Sequence, residues 1–156
     1  MPRPLHSLLA GRNSQPLTEH QKRHAIAILV GLEPRIAYDY HVSAHTAFRV
    51  RTEGEEEFGE IIIGPDVYPG GSVVDPNSLL GVKAAIAHEL THYHRWADAI
   101  ELPHGLKRHL DEALTSLQAV GRYSNNLSDV DVRQLISDAI QRIYLYLEEE
   151  GTERAE

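Results

Sequence analysis

The first half of the chain shows one helical pattern followed by three short strand patterns. Apolar residues recur at helical spacing over 18–32, and Thr18 with Gln21 three residues later is typical of a capping box. Alternating apolar and polar positions then predict strands over 35–42, 47–51 and 58–63. Gly54 lies among charged residues between the second and third of these strands and indicates a hairpin. This half of the chain therefore predicts a helix and a small, mostly antiparallel sheet.

The second half carries three amphipathic helix patterns. The first begins near residue 78 and continues to Pro103, because no glycine follows residue 81 and no proline interrupts it. Its apolar stripe consists of Leu79, Val82, Ile86, Leu90, Tyr93 and Ala97. The other two helices are predicted over 106–120 and 128–149. The whole pattern predicts an α+β fold with a single domain over 18–149, a flexible segment over 1–17 and a frayed acidic tail over 150–156.

Composition limits the kind of protein that this sequence can encode. Its 156 residues, 42% of them hydrophobic, are enough for one core that needs no disulfides. No apolar run approaches the roughly 18 to 20 residues of a membrane-spanning helix, and no segment is typical of a signal peptide. We therefore expect a cytoplasmic protein that does not act in a membrane. The net charge of −8, without a basic cluster, makes nucleic acid an unfavourable partner.

The chain contains ten histidines and no cysteine. Any metal site would therefore use imidazole or carboxylate ligands, because thiolates are absent. His88 and His92 are four residues apart on the predicted helix, about 40° around its axis and opposite the apolar stripe. Glu89 lies beside them, about 60° from His92. The string is an HExxH motif, in which two imidazoles bind Zn²⁺ and the glutamate acts as a general base. On an exposed helix it would be a solvated histidine pair, so a metal-free interaction module stays open.

A catalytic zinc takes a third protein ligand, and four downstream residues are candidates. Asp98 occupies the position expected in metzincins, but Arg95 replaces the glycine that would turn the chain, so a continuing helix points Asp98 away. His94 lies on the same unfavourable side. Glu112 borders the apolar stripe of the next helix, 20 residues after the second motif histidine, and His104 precedes that helix. Glu112 and His104 both stay open as the third ligand.

Within residues 78–120, the HExxH motif and the glutamate of a later Asp-Glu-Ala string resemble the gluzincin, or thermolysin-like, branch of zinc metallopeptidases. The resemblance implies a zincin-like fold in which a small sheet packs on the HExxH helix. It also implies zinc ligands His88, His92 and Glu112, with Glu89 as general base. The activity that follows is hydrolysis of peptide bonds, in a restricted peptide or protein substrate and with a regulatory partner protein as a further expectation.

Two parts of a gluzincin site, a carboxylate that orients a histidine and a donor to the transition state, have no direct counterpart in this sequence. The family's carboxylate four residues after the third ligand is Ser116 in this chain, so Asp111 or Thr115 is expected to orient a histidine. His109 could act beside the ligands or as a donor to the transition state. The candidates for that donor are Tyr93, His94, His109, Tyr123, His41 and Tyr68. An extended substrate would pair with a strand edge at 59–64 or 47–51.

Two alternative functions remain beside the gluzincin interpretation. An HExxH motif followed by a His-Gly pair about a dozen residues later is similar to the SprT-like proteases, in which His104 would be the third ligand. Those proteins act at DNA, which suits an acidic chain poorly. The second alternative is a non-catalytic protein that holds zinc and binds a partner peptide. A purely structural zinc would have four protein ligands and would not need Glu89 as a base.

Overall fold

A computed structural model describes residues 12–70, 80–103, 105 and 107–155. These residues form four α-helices and one three-stranded sheet, so the α+β class predicted from the sequence is confirmed. The elements are α1 (Glu19–Leu32), β1 (Ala37–Tyr40), β2 (Ala47–Glu53), β3 (Glu56–Ile63), α2 (Val82–Ala97), α3 (Arg108–Arg122) and α4 (Asp129–Ala155). No helix in these described ranges combines the length and apolar character needed to cross a membrane.

Helix α1 begins as its capping box predicts. The N–H of Gln21 donates to Thr18 Oγ1 at 3.1 Å, and the N–H of Thr18 donates to Gln21 Oε1 at 2.9 Å. These bonds satisfy N–H groups that have no partner within the helix. Ala25 and Leu29 on one side of α1 are fully buried, so this helix covers part of the core.

The sheet is mixed, which corrects the prediction of a mostly antiparallel sheet. Its strand order is β1-β3-β2: β2 and β3 form the predicted antiparallel hairpin, whereas β1 pairs with β3 in parallel. β3 ends in the run Ile61, Ile62 and Ile63, which is buried. Such a run is typical of a central strand, and β3 takes that place because β1 and β2 flank it on opposite sides. The alternation of apolar and polar residues along β1 does not indicate which strand it pairs with.

Helix α2 begins at Val82, after the predicted start near residue 78, and it ends at Ala97, before the predicted end at Pro103. Ala99 adopts a left-handed backbone conformation with φ 56°. The N–H of Ile100 bonds to the carbonyl of Arg95, and the N–H of Ala99 to the carbonyl of Trp96, both at 3.0 Å. This is a Schellman motif, which usually has glycine at the left-handed position. Because alanine is not a residue that usually marks the end of a helix, the sequence pattern predicts a helix as far as Pro103.

The core surrounds α2. Ile86 and Leu90 of this helix are fully buried, in one cluster with residues from the sheet and from all three other helices. The cluster includes Ala25, Leu29, Ile61, Ile63, Ala119 and Leu135. Helix α4 continues to Ala155, past residue 150 where the acidic tail was predicted to begin. Burying one face of α2 leaves its motif histidines on another face, toward α3.

Candidate metal centre

His88, His92 and Glu112 meet at one point between α2 and α3. The Oε2 atom of Glu112 lies 2.8 Å from His88 Nε2 and 2.9 Å from His92 Nε2. One possible ligand atom from each residue falls within 4.8 Å of the other two. The two imidazole rings are T-shaped, with centroids 4.8 Å apart. The structure thus brings together the residues of the HExxH motif and the first of the two candidate third ligands.

The connection between α2 and α3 is held so that Glu112 faces the motif. Asp111 forms an ion pair with Arg95 of α2, and it accepts the N–H of Leu102 at 2.9 Å. Arg95 also donates to the carbonyl of Ile100 at 3.2 Å. These contacts tie the first turn of α3 to the end of α2. Glu112, the neighbour of Asp111, is thereby placed opposite the two histidines.

A chain of hydrogen bonds behind His88 was not foreseen from the sequence. His88 Nδ1 lies 2.7 Å from Ser116 Oγ, and that hydroxyl donates to Asp138 Oδ2 at 2.6 Å. Asp138 also accepts from Arg142 Nε, at 3.0 and 3.2 Å. Because the hydroxyl has one hydrogen and gives it to Asp138, it accepts from the Nδ1–H of His88. Nε2 is therefore the nitrogen of His88 that faces Glu112 and that a metal would bind.

The residues expected to replace the family's carboxylate have other partners. Asp111 is engaged with Arg95, and the Thr115 hydroxyl donates to the carbonyl of Asp111 at 2.7 Å. His109 is buried against α4, where its Nε2 lies 3.0 Å from Glu149 Oε1. Among the described residues none of these three side chains bonds to a motif histidine. The carboxylate behind His88 instead comes from α4, which no spacing around the HExxH motif could indicate.

The electrostatics of the cluster favour a cation between the histidines. Burial lowers the pKa of His92, but the hydrogen bond to Glu112 and its negative charge outweigh burial and raise the pKa to about 9. Burial alone would raise the pKa of Glu112, yet hydrogen bonds from His88 and His92 hold it far below its usual range. The carboxylate of Glu112 is therefore ionised and attracts positive charge to this point, whether a proton or a metal cation supplies it.

This donor set fits a catalytic zinc ion. Two imidazole nitrogens and one carboxylate oxygen are the ligands that zinc takes in several hydrolases, with a fourth position left for water. Tetrahedral bonds of about 2.0–2.1 Å place neighbouring ligand atoms about 3.3 Å apart, so only small shifts from the contacts of Glu112 are required. We found no conflict between the residues present and a zinc ion, and their assignment as ligands stays a prediction.

Glu89 lies next to the cluster and is bonded to the edge of the sheet. Its Oε2 accepts the N–H of Phe48 in β2 at 3.0 Å. Burial raises the pKa of Glu89, against the opposing charges of His92 and His88. Phe48 itself packs against Tyr93 and Trp96 of α2, which fixes β2 beside the helix. The carboxylate therefore has a defined orientation and an increased tendency to hold a proton.

A cavity of about 490 Å³ opens over the cluster. Its lining includes His88, Glu89, His92 and Glu112 together with Phe48. The strand edge beside it belongs to β2, because β3 is paired on both sides. Of the two predicted substrate edges, the one at 59–64 is therefore wrong, and the one at 47–51 is the edge that borders the cavity.

The six residues expected as donors to a transition state lie outside this lining. His94 and Tyr123 both bond to Glu33, and Tyr68 donates to the carbonyl of Gln21. The other three, His41, Tyr93 and His109, contact Asp39, Phe48 and Glu149 respectively. Apart from His88 and His92, the basic residues that line the cavity are Arg12, His45, Arg108 and Arg142. They come from distant parts of the chain, and no local motif marks them.

The alternative third ligand, His104, lies outside the described residues, so the SprT-like arrangement stays an untested prediction. Asp98 is well exposed and lies 4.0 Å from Arg122, away from the cluster. Comparison of the chain with protein-family models, with curated protein sequences and with solved structures finds no match. The likeness to gluzincins therefore stays a prediction from the sequence motif.

Proposed function

We propose that this protein is a small cytoplasmic zinc-dependent peptidase with a zincin-like arrangement of its active-site helix and sheet. The observation that carries the proposal is the convergence of His88, His92 and Glu112 at the wall of a cavity that Glu89 also lines. Three ligands from imidazole and carboxylate leave a coordination position for water. A general base beside such a position is what hydrolysis needs and what a structural zinc site does not.

The reaction divides between the cofactor and the side chains of this chain. When bound, zinc lowers the pKa of water and polarises a carbonyl group. Glu89 takes the proton from the attacking water and later gives it to the leaving nitrogen. A carboxylate suits this exchange, because it can accept a proton in the first step and release it in the second. The bond from the Phe48 N–H keeps one oxygen of Glu89 in place.

The exposed edge of β2 supports a peptide as the substrate. The N–H of Phe48 points away from β3, toward Glu89. Since orientation alternates along an antiparallel strand, Val50 and Thr52 also direct their N–H groups to this edge. An extended peptide can pair with the N–H groups of Val50 and Thr52 and so run past the cluster. A short edge selects few side chains, which favours a restricted substrate or a partner protein that completes the cleft.

Metal analysis tests the first half of the proposal. We expect about one zinc ion per chain in the purified protein and none after His88 and His92 are both changed to Ala. Retention of zinc by the double variant at the level of the wild type would end the proposal.

The second half is tested with Glu89→Gln, which keeps the shape of the side chain and its contact to Phe48 but removes the base. We expect this variant to keep fold and zinc and to lose peptide-bond hydrolysis. The readout is the set of protein fragments that accumulate in cells or in a reconstituted system with the wild type. If both forms produce the same fragments or the same biological effect, a non-catalytic zinc protein becomes the better account.

A further inference from the structure

Apart from the two histidines of the cluster, four basic residues line the cavity, and two of them are committed to structural roles. Arg12 donates to the backbone carbonyls of Asp66, Val67 and Leu80, at 2.9, 3.1 and 2.7 Å. His45 is well exposed and bonded to Asp66 at 2.9 Å. Both side chains are thus already engaged by protein groups. Arg108 and Arg142 remain, and Arg108 lies at the exposed rim, at the start of α3.

Arg142 differs from the other three because it is largely buried and only part of its guanidinium is used. Its side chain is 18% exposed, and its Nε bonds to both oxygens of Asp138. Within the described part of the chain, its terminal nitrogens Nη1 and Nη2 make no hydrogen bond. Because Arg142 lines the cavity and its Nε is used by Asp138, these two nitrogens are the donors that it has left for a ligand.

The charges around Arg142 keep it protonated and link it to the candidate catalytic group. Burial lowers the pKa of its guanidinium, but the charges of Asp138, Glu112 and Glu89 outweigh burial and raise the pKa. Arg142 therefore acts through a permanent positive charge. That charge is within electrostatic reach of Glu89 and Glu112, on the cavity wall that they share.

We propose that Arg142 binds the substrate oxygen that becomes negatively charged during hydrolysis, through Nη1 and Nη2. The inference rests on the proposed function and adds to it the oxyanion donor that the sequence did not identify. Preorganised donors of this kind are usually a large part of the rate enhancement in acyl transfer. Asp138 holds the guanidinium in place, so no reorganisation is needed when the charge appears.

The balance of charge during the reaction agrees with this role. In the first step the water oxygen bonds to the carbonyl carbon, the carbonyl electron pair moves to its oxygen, and a water proton moves to Glu89. One negative charge thus disappears at Glu89 while another appears on the substrate oxygen. In the second step that electron pair returns, the C–N bond breaks, and Glu89 gives its proton to the leaving nitrogen. Arg142 faces the same total charge throughout and favours the intermediate only through its hydrogen bonds and position.

Inorganic phosphate, a tetrahedral oxyanion, is a suitable probe because it needs no knowledge of the substrate. The zinc-loaded protein, freed of excess zinc, is titrated with phosphate by calorimetry in three variants beside the wild type. Arg142→Met removes the positive charge. Arg142→Lys keeps a positive charge beside Asp138, but its single nitrogen replaces the separate guanidinium nitrogens that could bond to Asp138 and to phosphate. Arg108→Met is the matched control, since it removes a positive charge from the rim of the same cavity.

We expect both Arg142 variants to bind phosphate at least tenfold more weakly, with zinc content unchanged, and Arg108→Met to bind it within about twofold of wild type. Loss in Arg142→Met with retention in Arg142→Lys would show that charge alone binds phosphate, and it would overturn the assignment of Nη1 and Nη2 as the donors. Wild-type phosphate affinity in both Arg142 variants would overturn the inference. If Arg142→Met does not fold, the Lys variant decides. Zinc content is measured before the titrations. A wild-type protein that holds no zinc refutes the proposed function. The same phosphate titration of the zinc-free protein then tests Arg142 separately.

Discussion

The hydrogen-bond chain behind His88 can be broken at one atom with Ser116→Ala. The hydroxyl of Ser116 connects His88 Nδ1 at 2.7 Å with Asp138 Oδ2 at 2.6 Å. All three residues are buried, with exposures of 5%, 0% and 1% for His88, Ser116 and Asp138. Water has little access to replace the missing hydroxyl. The change therefore leaves the Nδ1–H of His88 without its acceptor and frees the imidazole to rotate.

The size of the effect follows from these contacts. Removing a group that orients a metal-binding histidine typically weakens metal affinity about 10- to 100-fold, which corresponds to about 1.4–2.7 kcal/mol. A buried donor left without a partner also costs roughly 1–3 kcal/mol of folding stability. For a domain of this length, a loss of about 2 kcal/mol lowers Tm by about 4–8 °C. Asp138 loses the hydrogen bond from Ser116 but keeps those from Arg142, so it contributes less to the loss of folding stability.

Zinc affinity is measured by competition with a chelating dye, and Tm of the metal-free protein by calorimetry. Thr115→Val is the matched control on the neighbouring position of α3. It also removes a buried hydroxyl, but one that donates only to the backbone carbonyl of Asp111 in its own helix. We expect the control to bind zinc like the wild type. Unchanged zinc affinity in Ser116→Ala, or an equal loss in Thr115→Val, would refute the orienting role of the chain.

Two further predictions concern the third ligand and the pH dependence of stability. Glu112→Ala should lower zinc affinity by orders of magnitude while His104→Ala changes it only a few fold, and the reverse ranking in the same chelator competition would favour the SprT-like arrangement. Burial, with a hydrogen bond to Glu33 and its charge, raises the pKa of Tyr123, which is 4% exposed. Its neutral form is favoured in the folded protein, so stability present below pH of about 10 should be lost as pH rises further. Urea unfolding across this range should show a smaller loss in Tyr123→Phe than in the wild type, because burial also raises the pKa of Tyr68.

Local patterns predicted the helices better than the way the strands combine. The capping box at Thr18 placed the start of α1, and the apolar stripe placed α2 with its histidines on another face. The end of α2 was missed because alanine, not glycine, takes the left-handed position at Ala99. The parallel pairing of β1 was missed because alternation along a strand records which side is buried, not which strand lies alongside.

The sequence by itself determined what depends on short spacing. The spacing of four positions from His88 to His92 put both imidazoles on one side of a helix, and the absence of cysteine limited any metal site to imidazole and carboxylate. The α+β class followed in the same way from periods of about 3.6 and 2 residues. These features need no knowledge of how distant segments meet.

Tertiary structure alone decided which distant groups surround the motif. Packing of α4 against α3 brings Asp138 to the hydroxyl of Ser116, and it brings the guanidinium of Arg142 to the cavity wall. Hairpin formation and the position of β2 at the sheet edge bring the N–H of Phe48 to Glu89. These contacts join residues more than 20 positions apart. No periodicity encodes them, because they depend on how helices and strands pack around a common core.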